Sequence, residues 1–468
     1  MNLLGIDYGT TSVKAVLFDE NLNQLATFTE DYTLITKGDT VEFPAEKYWE
    51  ILLGILDKVQ AEYKVDALAI DTQCETLILA DDEGNPLANA IVWLDNRATR
   101  EAGELEEQFG RKKAYEVTGQ PEVTATWPAA KLLWVKKNSP DLFEKTKKIF
   151  LLEDYLLYKL TGRFVTEKTL QSSSFYFDVK RGDWWDEMLS FIGVQRSMLP
   201  EILGSGELVG EYKGIKVVTS SMDQVAGAVG AGVIEKGTTS VMTGTTMAIF
   251  MPTDEMPPFD EASIVPCHVN YDGGFALLSW SPTAGMALKW FKNAFLADKS
   301  FRELDEMAES VAPGCDGLVF LPYLCGSTMP KYNPEARGSF TGLTPEHTPA
   351  HFVRSIMESV AFMLKGNLDY LGVHVDEIRA MGGGAQSSLW CAMMADVTKK
   401  RLVTLKNKET ACLGSAILAG VGSGVFPSVK DACKKIFTDK EITFSGTDYS
   451  AAYSAFESAD NILNVRRI

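Results

Sequence analysis

One local pattern occurs twice in this chain. Near the amino terminus, Leu3-Leu4-Gly5-Ile6-Asp7-Tyr8 runs into the turn Gly9-Thr10-Thr11 and out again through Ser12-Val13-Lys14-Ala15-Val16-Leu17-Phe18. In the second half, Lys236-Gly237-Thr238-Thr239-Ser240-Val241-Met242-Thr243 enters Gly244-Thr245-Thr246 and leaves through Met247-Ala248-Ile249-Phe250. Each copy reads as an apolar strand, a glycine and hydroxyl turn, and a second strand. Glycine lets the backbone approach a ligand, and successive N–H groups with neighbouring hydroxyls can cradle phosphate oxygens. An ordinary hairpin with a hydroxyl-rich turn has the same signature. Neither GxGxxG nor GxxxxGKS occurs in the first copy, so it is not a strand-to-helix phosphate loop of those kinds. The repeat divides the chain into similar halves meeting near residue 232, residues 1–232 and 233–468. Two such turns facing each other across a cleft would grip one polyphosphate from both sides.

With 468 residues, 46% of them hydrophobic, the chain exceeds a single core and can build two or three domains. A net charge of −18 argues against nucleic acid or an anionic membrane as partner, since both need a positive face. There is no apolar run long enough to span a bilayer, and MNLLGIDYG lacks the basic start and cleavage pattern of a signal peptide. The seven cysteines form no CxxC pair and no zinc spacing with histidine, which suggests reduced thiols and a cytoplasmic protein. The four histidines do not cluster in sequence. Tyr48, Ile51, Leu52, Ile55, Leu56 and Val59 predict an amphipathic helix over residues 44–63, before the buried strand Val65-Asp66-Ala67-Leu68-Ala69-Ile70-Asp71. Residues 131–137 and 141–160 read as helices with solvated lysine faces. The succession of strands and helices predicts a mixed α/β sheet in each half.

Three stretches carry chemistry. Val217-Val218-Thr219-Ser220 leads to Asp223-Gln224 and then to a small-residue helix. A carboxylate at a strand end can accept the proton of an attacking hydroxyl in phosphoryl transfer; it can equally cap the helix. Gly382-Gly383-Gly384-Ala385-Gln386-Ser387-Ser388 lies at a strand-to-helix junction, where glycines admit a flat base or ribose against the backbone, or simply tight packing. Gln73-Cys74-Glu75-Thr76 and Trp93-Leu94-Asp95-Asn96-Arg97 each follow an apolar run. Carboxylate, amide and a nearby ring suit a polyhydroxylated ligand. A surface loop with an ion pair of Arg97 fits the same residues.

Together these elements resemble the FGGY family of carbohydrate kinases over essentially the whole chain. The opening Gly5-Ile6-Asp7-Tyr8-Gly9-Thr10-Thr11-Ser12-Val13-Lys14 is similar to the family's first phosphate loop. Gly338-Ser339-Phe340-Thr341-Gly342-Leu343, with His351-Phe352-Val353-Arg354-Ser355-Ile356-Met357-Glu358, matches its C-terminal signature in residue type and spacing. The resemblance implies a duplicated actin-like, ribonuclease-H-like two-domain α/β fold with a central interdomain cleft. It implies ATP and Mg2+, a small-molecule sugar or polyol substrate, and a chain compatible with a homodimer. By position it implies Asp223 as general base and Asp7 as the acid that organises the metal. Thr10, Thr11, Lys14, Gly244 and Thr245 would contact phosphates, and Gly383, Gly384, Ala385 and Ser388 the adenosine. Gln73, Glu75, Trp93, Trp127 and Gln224 would contact the sugar. Gln73-Cys74-Glu75 departs from the Met-His usual after this glutamine in xylulokinases and from the Arg-Glu usual in glycerol kinases. Gln224 is glycerol-kinase-like, whereas Trp93 to Arg97 and Pro128 to Val135 are closer to xylulokinases. Gly326-Ser327-Thr328 stands where many relatives have Gly-Glu-Arg. The resemblance therefore points to a five-carbon ketose such as D-xylulose, with glycerol, other polyols and gluconate as alternatives. An actin-like ATPase or a sugar-sensing regulator is a remote alternative.

Overall fold

The computed structural model describes residues 1–329 and 332–464. The first half is built on a six-stranded sheet. Strands β1 (Leu3–Tyr8), β2 (Ser12–Phe18) and β3 (Gln24–Asp31) form an antiparallel meander, and β4 (Ala67–Thr72) and β6 (Ile215–Met222) add parallel to β1, with β5 (Leu208–Tyr212) at the edge. The order is β5-β6-β4-β1-β2-β3. β1 and β4 are buried almost throughout, which is why both read as continuous apolar runs, whereas edge strand β3 alternates between exposed and half-buried positions.

The second half repeats this plan. Strands β7 (Gly237–Thr243), β8 (Met247–Thr253) and β10 (Phe275–Ser281) form the antiparallel meander, extended by β9 (Cys267–Val269). β11 (Val375–Met381) and β12 (Arg401–Leu405) join parallel on the other side of β7, and β13 (Thr438–Ile442) closes the edge. Thus β1, β2, β3, β4 and β6 correspond to β7, β8, β10, β11 and β12. This is the duplicated α/β architecture that the repeated hairpin predicts.

Two helices join the halves. α1 (Asp223–Ala231) leaves β6, and α4 (Thr410–Gly422) follows β12. Between them in sequence lie α2 (Pro349–Leu371) and α3 (Ser388–Thr398) of the second half. α4 packs on α1 and on β1 at backbone distance. A Cβ on Gly414 would sit 1.9 Å from the Ala226 carbonyl oxygen, and one on Gly230 would sit 1.8 Å from that of Thr410. On β1, a Cβ on Gly5 would meet the Cys412 carbonyl oxygen at 1.7 Å. Around these contacts, Ala228, Val229, Leu413, Ala416, Ile417 and Leu3 form a core shared by both halves.

A five-stranded sheet flanks the first main sheet and includes Leu77–Ala80, Ala90–Ile91 and Lys148–Leu151. The last of these corrects the helix expected over residues 141–160. A short helix, Pro140–Lys145, gives way to the strand Lys148–Leu151 before a second helix, Leu152–Thr161. Ile149, Phe150 and Leu151 are buried against Leu77, Ile78 and Leu79, and that pairing overrides the helical pattern. The rings of His347 and His351 lie 5.2 Å apart, joined to Cys315 O and Asp316 at the start of α2. No metal-binding group of three or more acidic, histidine or cysteine side chains occurs among the described residues, and no described helix is long and apolar enough to cross a membrane.

Candidate active site

Three acids converge at the carboxyl ends of the parallel strands of the first half. Asp7 on β1 is the direct register partner of Asp71 on β4, and Asp223 follows the end of β6. Strand ends of this kind collect ligands in open α/β sheets. Burial raises the Asp7 carboxyl to about 6, against the opposing pull of Lys14. Burial also raises Asp223, to about 7, with the charge of Asp7 adding to the effect. Asp71, fully enclosed, is held well above the usual carboxylate range by burial and then by Asp7. Its Oδ2 accepts from Ser415 Oγ of α4 at 2.6 Å, while its Oδ1 has no hydrogen-bond partner. Three carboxylates crowded like this favour a cation or shared protons.

Asp223 is not the N-cap of α1. Met222 holds that position without a side-chain cap bond, and Asp223 is the first helical residue. Its Oδ1 accepts from the Gln224 backbone N–H at 2.7 Å and faces the Cys74 thiol at 3.9 Å. The opposite oxygen is left for the cleft.

The residues after β4 bridge the main sheet and the flanking sheet. Gln73 is buried, and its amide N–H groups reach the hydroxyls of Tyr32 at 3.3 Å and Tyr48 at 3.5 Å. Tyr32 in turn donates to the Gly9 carbonyl, so Gln73 supports the first Gly-Thr-Thr turn from below. Glu75 adopts φ +67°, a left-handed conformation uncommon outside glycine. Burial raises its carboxyl to about 8; Lys131 opposes this, Asp223 reinforces it, and a hydrogen bond from Ser173 lowers it. Trp93 Nε1 donates to Thr10 Oγ1 at 3.0 Å, joining this region to the first Gly-Thr-Thr turn. Just beyond, Arg97 pairs with Asp95 and Glu42, so the ion pair and the ring belong to one loop. Trp127 donates its indole N–H to the Glu122 carbonyl at 2.8 Å, and its ring lies parallel to Phe175. Lys14, the register partner of Asp7, is bound across the interface to Glu409 at 2.5 Å.

In the second half, a cavity of about 950 Å³ brings together Gly244, Thr245, Gly383 and Gly384. Its outer wall holds Trp290, Phe301 and Asp305. All of its lining comes from the second half, so Thr10 and Thr11 of the first turn do not line it. Ala385 lies on the opposite side of the glycine segment, in a smaller cavity of about 240 Å³. Ser388 Oγ accepts from Lys440 Nζ at 2.7 Å.

Four features of the site escape the sequence reading. Lys131 is wholly buried rather than part of a solvated face. Its placement among Pro128, Ala129, Ala130, Leu132 and Leu133, with no polar neighbour at helical spacing on that side, is the one local hint. Trp290 and Phe301 form an aromatic wall, and exposed rings on two successive amphipathic helices are its signal. Asp71 has the strand-end position of Asp7. The fourth is an acidic core behind Asp71, made by Glu153, Asp154 and Glu167.

Glu153 Oε1 accepts from the Ser220 backbone N–H at 2.8 Å, and Ser220 Oγ bonds Ser415 Oγ at 2.5 Å. Burial holds Glu153 well above the usual range, raises Asp154 to about 8 and raises Glu167 to about 7. These acids keep protons in the folded state that the unfolded chain releases near its ordinary carboxylate values. Their stabilising contribution is thus complete below about pH 4 and is lost as pH rises to about 8. The thermal midpoint should fall over that window, and Glu153→Gln should flatten the fall. A Glu153→Gln protein whose midpoint keeps the parent's pH dependence over that window would contradict this assignment.

A site with two glycine and hydroxyl turns on matching strands, an acid cluster at strand ends and a cavity of about 950 Å³ fits a phosphotransferase of the actin-like class. Comparison with known proteins gives the family. Residues 2–230 match the FGGY family of carbohydrate kinases, N-terminal domain, and residues 240–423 match its C-terminal domain. The chain belongs to the FGGY family and is an ATP-dependent carbohydrate kinase. It is 29% identical to a xylulose kinase of Bacillus subtilis over 458 residues, 93% of this chain and 91% of that one. It is 28% identical to a gluconokinase of the same species over 493 residues, 98% of this chain and 96% of the relative. The fold of a ligand-bound xylulose kinase from Lactobacillus acidophilus superposes with a TM-score of 0.90 at 24% identity, covering 99% of each chain.

Proposed function

We propose that the chain phosphorylates a five-carbon ketose, D-xylulose, at the expense of ATP. The observation that carries this reading is the likeness to xylulose kinases along nearly the whole chain, together with the Trp93 to Arg97 loop, whose Trp93 bonds Thr10 of the first Gly-Thr-Thr turn. A second reading, gluconate, is favoured by gluconokinases at almost the same identity. A coupled assay of ADP release over xylulose, ribulose, gluconate, glycerol, erythritol and fuculose separates them. The present reading requires the highest kcat/KM with D-xylulose; a preference for gluconate or glycerol overturns it.

In this proposal Asp223 is the base that receives the hydroxyl proton, and Glu75, Trp93, Gln224, Gln73 and Trp127 surround the sugar. Gly244, Thr245, Gly383 and Gly384 hold the nucleotide in the larger cavity, with Ala385 and Ser388 bracing the glycine segment from behind. Thr10, Thr11 and Lys14 meet the phosphates from the first half. Asp7, partly exposed at a strand end and raised by burial, suits Mg2+, which such sites hold through one or two carboxylates, water and substrate phosphates. Asp71, with an unpartnered oxygen, completes that acidic environment. When bound, the metal neutralises phosphate charge; the residues named here position the sugar and take up its proton.

Glu75→Ala should weaken sugar use far more than nucleotide use. One charge-assisted hydrogen bond contributes about 1.5–3 kcal/mol, or roughly a ten- to hundredfold loss in kcat/KM for the sugar. Steady-state kinetics with each substrate varied in turn measure this, and unchanged sugar parameters remove Glu75 from the site.

A further inference from the structure

The two Gly-Thr-Thr turns are held in the same way by different chemistry. In the second half the carbonyls of Gly244 and Thr245 are tied by main chain alone. The Gly285 N–H donates to Gly244 O at 2.9 Å, and the Ala284 and Met286 N–H groups donate to Thr245 O at 3.0 and 3.2 Å. These donors follow the third strand of the meander, β10, and open the helix Gly285–Phe295. In the first half the third strand, β3, is followed by the short strands Ile35–Lys37 and Thr40–Phe43, and no helix start reaches the turn. One residue takes its place. Directly after β3, the Tyr32 N–H donates to Thr11 O at 2.9 Å and the Tyr32 hydroxyl donates to the Gly9 carbonyl. That hydroxyl accepts from Gln73 Nε2 at 3.3 Å, so its single proton is committed to Gly9. The ring is fixed among Phe43, Tyr48 and Tyr8, with centroids 4.8, 5.7 and 6.4 Å away.

We infer that Tyr32 is a positioning residue for phosphate binding: its hydroxyl holds the Gly9 carbonyl back and keeps the donors of Gly9-Thr10-Thr11 turned to the nucleotide, the part that a helix start plays in the second half. The inference rests on the phosphate contacts proposed above. A carbonyl oxygen facing a phosphate repels it, whereas N–H and O–H groups bind it. With the carbonyls of Gly9 and Thr11 tied to Tyr32, the N–H groups of Gly9, Thr10 and Thr11 have no acceptor among the described residues. Trp93 Nε1 occupies a lone pair of Thr10 Oγ1, which leaves the threonine proton free to donate. Thr11 is exposed and Thr10 half-buried, so these donors are within reach of a ligand. Tyr32 acts through the turn and not by touching the nucleotide.

The test is calorimetric binding of two probes in the presence of Mg2+: the non-hydrolysable β,γ-imido analogue of ATP, and adenosine, which has no phosphate. Tyr32→Phe keeps the ring and the main-chain N–H and removes only the hydroxyl. It should weaken the analogue by about five- to fiftyfold and adenosine by less than about threefold, since an unmade hydrogen bond at the turn is felt only by the phosphates. Tyr8→Phe is the matched control. Its hydroxyl lies in the same aromatic cluster and donates to the Tyr48 carbonyl at 2.5 Å, not to the turn. It should bind both probes within about threefold of the parent. Unchanged analogue binding in Tyr32→Phe overturns the inference. So does an equal loss of both probes, or an equal loss in Tyr8→Phe, because each marks a general softening of the first half. The pair Thr10→Val, Thr11→Val separates this failure from that of the phosphate contacts. If the pair loses the analogue and Tyr32→Phe does not, only the role of Tyr32 falls; if both bind it as the parent does, the threonine contacts fall as well.

Discussion

Asp223→Asn is expected to lower kcat by about 10²–10⁴-fold while changing sugar affinity little. The substitution keeps the shape of the side chain and its bond to the Gln224 N–H, but an amide cannot take up the hydroxyl proton. Folding should survive and even improve. In the folded protein Asp223 is half-buried beside Asp7 and its carboxyl is raised to about 7, so its charge opposes the fold more than it supports it. The helix-capping alternative predicts the reverse. Asn caps about as well as Asp, so turnover would stay near normal. The position of Met222 at the cap leaves Asp223 without that role. In the unmodified enzyme kcat/KM should climb with pH through about 7, since only the ionised base accepts a proton. Calorimetry and steady-state kinetics on the same preparation decide between the two accounts.

Gly414→Ala should destabilise the protein by more than about 3 kcal/mol, beyond the range of ordinary overpacking. The new methyl would stand 1.9 Å from the Ala226 carbonyl oxygen and 2.7 Å from its carbonyl carbon, and close to Gly230 N as well. Those neighbours are main chain in α1, so no side-chain rotation relieves the clash. Helix propensity pulls the other way by about 1 kcal/mol, far less than the steric term. Gly54→Ala is the matched control. It lies within the helix Ala45–Glu62, has nothing within 4 Å of its Cβ, and should gain about 0.5–1 kcal/mol. Urea midpoints of the two variants should move in opposite directions; a Gly414→Ala protein as stable as the parent would mean that α1 and α4 separate easily.

The parts of this molecule that a reader of the sequence can find are those whose signal is local. Gly9-Thr10-Thr11 and Gly244-Thr245-Thr246 announce themselves because turn chemistry and strand alternation sit within a dozen residues. Asp7 and Asp223 are visible as acids that end apolar runs. Lys131 is not, because a lysine three residues into a helix looks solvated until the sheet it packs under is known. Glu153, Asp154 and Glu167 are hidden for the same reason, since their burial depends on β6 and on α4, which are distant in sequence. The strand Lys148–Leu151 is lost between two helices because its pairing partner, Leu77–Ala80, lies far upstream. Lys14 is read as a phosphate contact from its neighbours, and only the folded chain brings Glu409 to it.

The contact of α1 with α4 also fixes how distances across the cleft can change. Main chain rests on main chain there, which leaves little slack for sliding, so we expect any relative motion of the halves to be a rotation about an axis near Gly230 and Gly414. Displacement in a rotation grows with lever arm. Ser415 and Asp71, joined at 2.6 Å, should keep their separation, whereas Thr10 and Thr245, carried on turns of different halves, are the groups a rotation would move relative to each other. We therefore expect the acid end of the cleft to be assembled before any ligand arrives, and the distance between the two Gly-Thr-Thr turns, measured with and without nucleotide, to be the one that changes.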